Sequence, residues 1–301
     1  MANMTGSQLC GVALKRDFAK LGAFGALSFL AACGGSSSTP PQYSALAATA
    51  ATPAAVPLSG SAIKFNKGTQ ALSSSSVSGT LTRADQSLAL NNGTDTFTST
   101  GGPDGSGAYT GTDAGAGAAT LAPIDTAYVS GSYDYVLPYR HEDAAQVSLG
   151  VAGYATTAGD MPTSGSATYQ GEGMIVTNDR LPSGETTQHR SANTSVTVNF
   201  GAGTADVVMA GVTAPAAGAT AVVDQVNITG ATVSGAGFSG GTVTATLGGA
   251  NALGITGGND AITSSGQFYG YDGANGRPDE VAGTLLVDGN TGSLQAIYIA
   301  D

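Results

Sequence analysis

From Ser164 onward the chain repeats one pattern: short segments of strictly alternating apolar and polar residues, each cut off by Gly, Asn, Asp or Pro. Val196, Val198 and Phe200 fall on one face, with Thr197 and Asn199 on the other. Val243, Ala245 and Leu247 alternate in the same way with Thr242, Thr244 and Thr246, and Val281, Gly283, Leu285 and Val287 repeat the arrangement. A period of two puts the apolar set on one side of a pleated sheet, the mark of a half-buried strand. Candidate strands cover 165–176, 187–200, 204–211, 220–230, 232–247, 264–271, 280–287 and 293–300. Strands this regular, joined by short turns, predict an all-β fold, either an antiparallel closed barrel or a sandwich. Closure is favoured because it leaves no unpaired edge to recruit other chains. Composition limits the core: Gly numbers 46, Trp is absent, and the 41% of apolar residues is mostly Ala and Val.

The region before Ser164 is less regular. Val77-Ser-Gly-Thr-Leu81 and Leu88-Ala-Leu90 alternate, 101–117 is rich in turn residues, 128–139 is rich in tyrosine, and 147–154 reads as a strand. Residues 61–160 are therefore expected to form a β-rich domain of their own. Residues 33–60 hold Ser36-Ser37-Ser38, Pro40-Pro41 and an Ala-rich run without alternation, which predicts a flexible tether.

At the N-terminus Lys15, Arg16 and Lys20 precede an apolar run over 21–30, followed by Ala31, Ala32 and Cys33. A basic segment, a short apolar segment and small residues at a cut site describe an export signal over 1–32. Leu30-Ala-Ala-Cys33 resembles the lipobox of bacterial lipoproteins, which implies acylation of Cys33, with palmitate among its chains, and anchoring to a membrane by lipid. After Leu30 no apolar stretch approaches the roughly 20 residues of a spanning helix. Loss of Lys15, Arg16, Lys20 and Asp17 with the signal takes two positive charges from a chain of net −11 and leaves −13. Binding to a phosphate backbone needs clustered Lys and Arg, so nucleic acid is excluded as a partner. Cys10 leaves with the signal, so the exported body has no disulfide and no Cys-ligated metal.

Two motifs carry a second resemblance. Asp160-Met-Pro-Thr-Ser-Gly-Ser-Ala-Thr-Tyr-Gln-Gly171, and Gly266-Gln-Phe-Tyr-Gly270 followed by Asp279-Glu-Val-Ala-Gly-Thr284, are similar to segments of transferrin-binding-protein-B-like surface lipoproteins. Phe268 and Tyr269, if in one strand, point to opposite faces. The resemblance implies a handle domain over 61–160 and an eight-stranded antiparallel up-and-down barrel over 161–301. It further implies a lipid-anchored protein at the outer-membrane surface, which Gly34 after the acylated Cys fits. Its expected role is to capture an iron protein, haem or a similar ligand for nutrient acquisition, with an outer-membrane transporter as partner. This chain has room for one lobe, Tyr271 stands where the family has Pro, and residues 273–277 look inserted, so transferrin itself is not implied. An adhesion lipoprotein without a transport role, or a transmembrane barrel, are the alternatives.

No enzyme is expected. His141 lies in Arg140-His-Glu-Asp143, but no nucleophile elbow, zinc-protease helix or phosphate loop accompanies it, and it is read as part of a solvated loop. His189, beside Gln188 and Arg190, is read as an exposed residue at a strand end rather than a haem or metal ligand. The Gly/Asp-rich stretches 101–113 and 257–260 lack the nine-residue repeat of calcium β-rolls and are read as plain turns. No metal or cofactor is assigned. Tyrosine supplies broad contact area with a polar tip, which suits a binding surface. Tyr133, Tyr135 and Tyr139 are therefore the candidate ligand-binding residues, crowded with Tyr128 and Tyr154 at the expected domain junction, where packing between domains demands the same chemistry.

Overall fold

Small alternating side chains close the sheet twice. The computed structural model describes residues 43–301, apart from 94, 180–185, 216–220, 253, 255–260, 272 and 290–291. The signal segment and Cys33 lie outside the described residues. The first barrel is built from β1 (Ala55–Asn66), β2 (Leu72–Thr82), β3 (Ser87–Asn92), β4 (Asp95–Ser99), β5 (Tyr109–Asp113), β6 (Gly117–Pro123), β7 (Val136–Glu142) and β8 (Gln146–Gly153). Each strand pairs antiparallel with the next, and β8 returns to β1 with Val151 opposite Ser61. Its core holds Val56, Leu58, Leu81, Leu88, Leu90, Phe97, Leu121 and Tyr139.

The β-rich handle expected over 61–160 is thus a closed barrel in its own right. β5 and β6 fall partly in the zone that reads as turns, because Tyr109-Thr-Gly-Thr-Asp113 and Gly117-Ala-Ala-Thr-Leu121 are too short and small-residued to display a period. β1 begins inside the stretch read as a tether, and Tyr43 is buried. Arg83, itself fully buried, donates to the carbonyls of Ser44, Ala45, Ala48 and Pro53 and folds this segment over one end of the barrel. Carbonyls are good partners for a guanidinium fork, and Ala-rich backbone offers them without side-chain obstruction.

The second barrel follows the sequence pattern closely. It comprises β9 (Ser166–Asp179), β10 (Thr186–Asn199), β11 (Thr204–Thr213), β12 (Gln225–Ser234), β13 (Gly237–Ser239), β14 (Thr242–Leu247), the short β15 (Ala250–Asn251), β16 (Ala261–Tyr269), β17 (Glu280–Asp288) and β18 (Gly292–Ala300). β11 pairs with β12, and β18 with β9, so the sheet closes. β13 and β14 share one edge of β12 and act as a single position in the ring, interrupted at Gly240-Gly241. The expected strand over 232–247 is therefore broken, and its first residues belong to β12. The core holds Tyr169, Val196, Val198, Val207, Ile228, Phe238, Phe268, Leu285 and Tyr298, with Phe238 and Phe268 rings 5.6 Å apart.

Among the described residues no helix is long and apolar enough to cross a membrane. The large apolar side chains exposed among the described residues are Val222 and Leu247.

Candidate functional site

Alternation assigns each strand two faces, and on β9, β16, β17 and β18 the outward face meets the first barrel. Met174, Val176, Tyr269, Ala282, Ile297 and Ile299 pack against Ile124, Val129, Val136, Leu149 and Val151. Polar contacts set the register of the joint: Thr284 Oγ1 donates to Ser61 Oγ at 2.9 Å and Gln267 Nε2 to Ser59 Oγ at 2.8 Å.

Two carboxylates of the second barrel clasp the β6–β7 loop. Glu172 accepts from Ser130 N at 2.6 Å, from Ser130 Oγ at 3.0 Å and from Gly131 N, and pairs with Arg190 at 3.0 Å. Glu280 accepts from Asp134 N at 2.5 Å and Tyr135 N at 3.0 Å. Burial pushes the Glu280 carboxyl up to about 7, against the opposing pull of those two N–H donors. Loop backbone has unpaired N–H groups to offer, and a buried carboxylate needs donors, so each satisfies the other.

Beside this joint the barrels diverge and leave a cleft of about 770 Å³. Its floor is Phe65, Ile124, Val147, Leu149, Met174 and Val176, and its rim is Asp125, Tyr128, Arg140, Asn178, Gln188 and Gln295. An apolar floor with a few convergent polar groups, in the usual volume range of ligand sites, is the default form of a binding pocket. Arg140 also pairs with Glu142 at 2.6 Å on the exposed edge.

The tyrosines divide among different tasks. Tyr128 lines the cleft. Tyr133 and Tyr135 are partly buried in the joint, where Tyr133 lies against Gly131 and Glu172. The Tyr135 ring covers Gly270, whose φ of +63° and whose position, 2.3 Å from ring atom to a notional Cβ, both require glycine. Tyr139 is 1% exposed inside the first barrel and turns no face to the cleft. Tyr154 packs against Tyr43 with the rings tilted at 53° and their centroids 4.8 Å apart.

Both histidines differ from expectation. His141 is 3% exposed, because its register on β7 points it into the first barrel rather than into solvent. His189 is fully buried in the second barrel, its Nε2 accepting from Val222 N at 3.2 Å. Burial lowers the pKa of each. Cleft residues such as Leu149 and Met174 escape the sequence reading, although Val147, Leu149 and Val151 do form an apolar outward face on β8 opposite the inward Ser148 and Ala152.

The motif residues take up the places their chemistry suggests. Phe268 enters the core and Tyr269 faces the joint. A Cβ on Gly283 would lie 2.2 Å from Ser265 O and 2.4 Å from Tyr298 Oη, so only glycine lets β16 and β17 pair there.

Fold and cleft together define a class: paired antiparallel β-barrels joined by a buried face, with an amphipathic groove beside it. Residues 161–300 match the family described as C-lobe and N-lobe beta barrels of Tf-binding protein B. The second barrel is thus similar to the barrels of this transferrin-binding-protein-B-like family. No curated protein matches it in sequence. Among solved structures it is similar to a double mutant of transferrin binding protein B from Haemophilus parasuis Hp5, at 15% identity and a TM-score of 0.48, over 81% of this chain and 44% of that one. It is also similar to isotype 1 transferrin binding protein B from serogroup B Neisseria meningitidis, at 15% identity and a TM-score of 0.42, over 76% and 52%. A third is the N-lobe domain of lactoferrin binding protein B of Moraxella bovis, at 15% identity and a TM-score of 0.33, over 81% and 98%. The chain spans less than half the length of the first of these.

Proposed function

We propose that the chain is a non-enzymatic binding protein, anchored at the outer-membrane surface by acylated Cys33, that captures an iron-carrying ligand without covalent chemistry. The ligand class is an iron protein, or haem, and an outer-membrane transporter is its recipient. The carrying observation is the cleft between the barrels, whose apolar floor and polar rim suit an amphipathic group or a protruding side-chain cluster. The match of the second barrel to a barrel family named for a transferrin-binding protein supports the ligand class. The two histidines, the most versatile acid–base groups in the chain, lie inside the barrels rather than on the cleft, which favours holding over catalysis. Tyr128, rather than Tyr133, Tyr135 or Tyr139, is the tyrosine placed to touch the ligand.

The test uses the detergent-solubilised full chain, titrated with haem by absorbance and passed over immobilised iron-loaded transferrin and lactoferrin. Retention of one of these, weakened at least tenfold by Leu149→Asp or Met174→Glu, supports the reading. Failure to retain any of them, or equal retention by both variants, overturns it. Anchoring is checked separately: Cys33→Ser is expected to release the protein from membranes, and mass spectrometry of the wild type to find an acylated Cys33.

A further inference from the structure

The interior of the first barrel changes character along its axis. Toward the end covered by residues 43–54 it is apolar. Toward the end formed by the β1–β2, β3–β4, β5–β6 and β7–β8 hairpins, inward positions become Asn92, Asp113, His141, Asp143 and Ser148, all buried. Such an end is costly unless each polar group finds a partner. Lys64 donates to Asp95 at 3.0 Å and to Asn92 O at 3.0 Å, and Asn92 Nδ2 to Ser148 Oγ at 3.2 Å.

Asp113, His141 and Asp143 are different. They are 3%, 3% and 5% exposed, and one ligand atom from each lies within 4.8 Å of the other two. Backbone donors fix both carboxylates by a single oxygen. Asp113 Oδ1 accepts from Thr96 N at 3.2 Å, and Asp143 Oδ1 from Ala145 N at 2.6 Å and Gln146 N at 2.8 Å. Asp113 Oδ2 and His141 Nε2 face each other at 3.2 Å, yet they are not aligned for a hydrogen bond and neither has a hydrogen-bond partner. Two carboxylates, one imidazole and unpartnered atoms on two of the three describe a set of ligands around a missing positive charge.

We propose that Asp113, His141 and Asp143 bind one divalent transition-metal ion of the zinc class at the polar end of the first barrel. Ligands at about 2.0–2.2 Å from a tetrahedral ion stand about 3.3 Å apart, the spacing Asp113 Oδ2 and His141 Nε2 already have. The imidazole selects a borderline ion over calcium or magnesium, which demand six or more oxygens. A route exists: a cavity of about 360 Å³ lined by Lys64, Asp95, Asp143 and Gln146 opens at this end. A small void bordered by Asp95, Asp113 and His141 lies alongside. The ion ties β5 and β7 to the turn after β7, at the end of the barrel whose inward side chains are polar. This site is separate from the cleft, and its fate says nothing of ligand capture.

The experiment takes the untagged full chain, strips it with chelator, adds Zn²⁺ and records native mass spectra and thermal unfolding. One zinc per chain and a Tm raised by several degrees are expected. His141→Ala and Asp113→Asn are expected to weaken binding at least tenfold, while His189→Ala, in the second barrel, keeps its single ion. Co²⁺ gives a readout independent of stability: a visible d–d band in the wild type, absent in Asp143→Asn whose circular dichroism is unchanged. No bound ion at micromolar zinc, equal affinity in the wild type and both His141→Ala and Asp113→Asn, or no cobalt band in the wild type overturns the proposal.

Discussion

Arg83 organises more backbone than any other side chain in the molecule's described part. Its guanidinium reaches Ser44 O at 2.8 Å, Ala48 O at 3.0 Å and, through Nε, Pro53 O at 3.0 Å. Charge-assisted bonds of this kind are strong, and their loss leaves buried carbonyls without donors. Arg83→Ala should cost about 3 kcal/mol or more in urea unfolding. Arg83→Lys should recover only part of it, because an ammonium lacks the planar fork. Glu280 makes a prediction of opposite character. Its carboxyl titrates near 4.5 when unfolded and is raised to about 7 when folded. The folded state therefore holds the proton more tightly, so this contribution is full below about 4.5 and is lost as pH rises to about 7. In Glu280→Gln that fall disappears. Urea midpoints of both proteins at pH 4.5 and pH 8 measure it, and a wild-type-minus-variant difference that does not change with pH would refute it.

At the scale of elements, β17 and β18 show how burial changes a sequence pattern. All nine residues of β18 are buried, and all of β17 but Asp288, because one face fills the second barrel and the other meets the first. Val281, Leu285 and Val287 do alternate, but Ala282, Thr284 and Leu286 between them are covered too, by β1 and β8. A strand enclosed on both sides reads as a nearly continuous apolar run. Close approach of β16 and β17 at Gly283 leaves no room for a methyl group, since Ser265 O is backbone and cannot swing aside. Gly283→Ala should destabilise the protein by roughly 1–3 kcal/mol, seen as a lower thermal midpoint. The same substitution at Gly101, which has open space around it, serves as the control and should shift the midpoint little.

At the scale of the whole molecule, the barrels share an apolar joint and two carboxylate clasps, so they are expected to unfold together. Glu172 and Glu280 hold the loop between β6 and β7 by its own N–H groups, and the loop in turn floors the cleft through Ile124. Calorimetry of the wild type should show one transition. The double variant Glu172→Ala, Glu280→Ala should show two, because each barrel keeps its own closed core while the coupling between them is lost. A single sharp transition in that variant would mean that apolar packing alone joins the barrels.

Alternation alone set the all-β class and most of the second barrel's strands, because a period of two is local and a polar outer face, as on β10 and β14, leaves it visible; the break at Gly240-Gly241 and the exposed Leu247 were not legible in it. The two motifs likewise disclosed Phe268 and Tyr269 on opposite faces, since that follows from pleat geometry. Tertiary structure decided the rest. That residues 55–153 close into a barrel of their own depends on β8 finding β1 nearly a hundred residues away, a pairing that no local pattern in strands as short as β4 and β5 encodes. His141 looks like a loop residue beside Arg140 and Glu142, yet closure turns it inward toward Asp113, a residue 28 positions earlier. The cleft exists only because two convex barrels touch along one line and part beside it, a property of curvature and not of any residue that lines it.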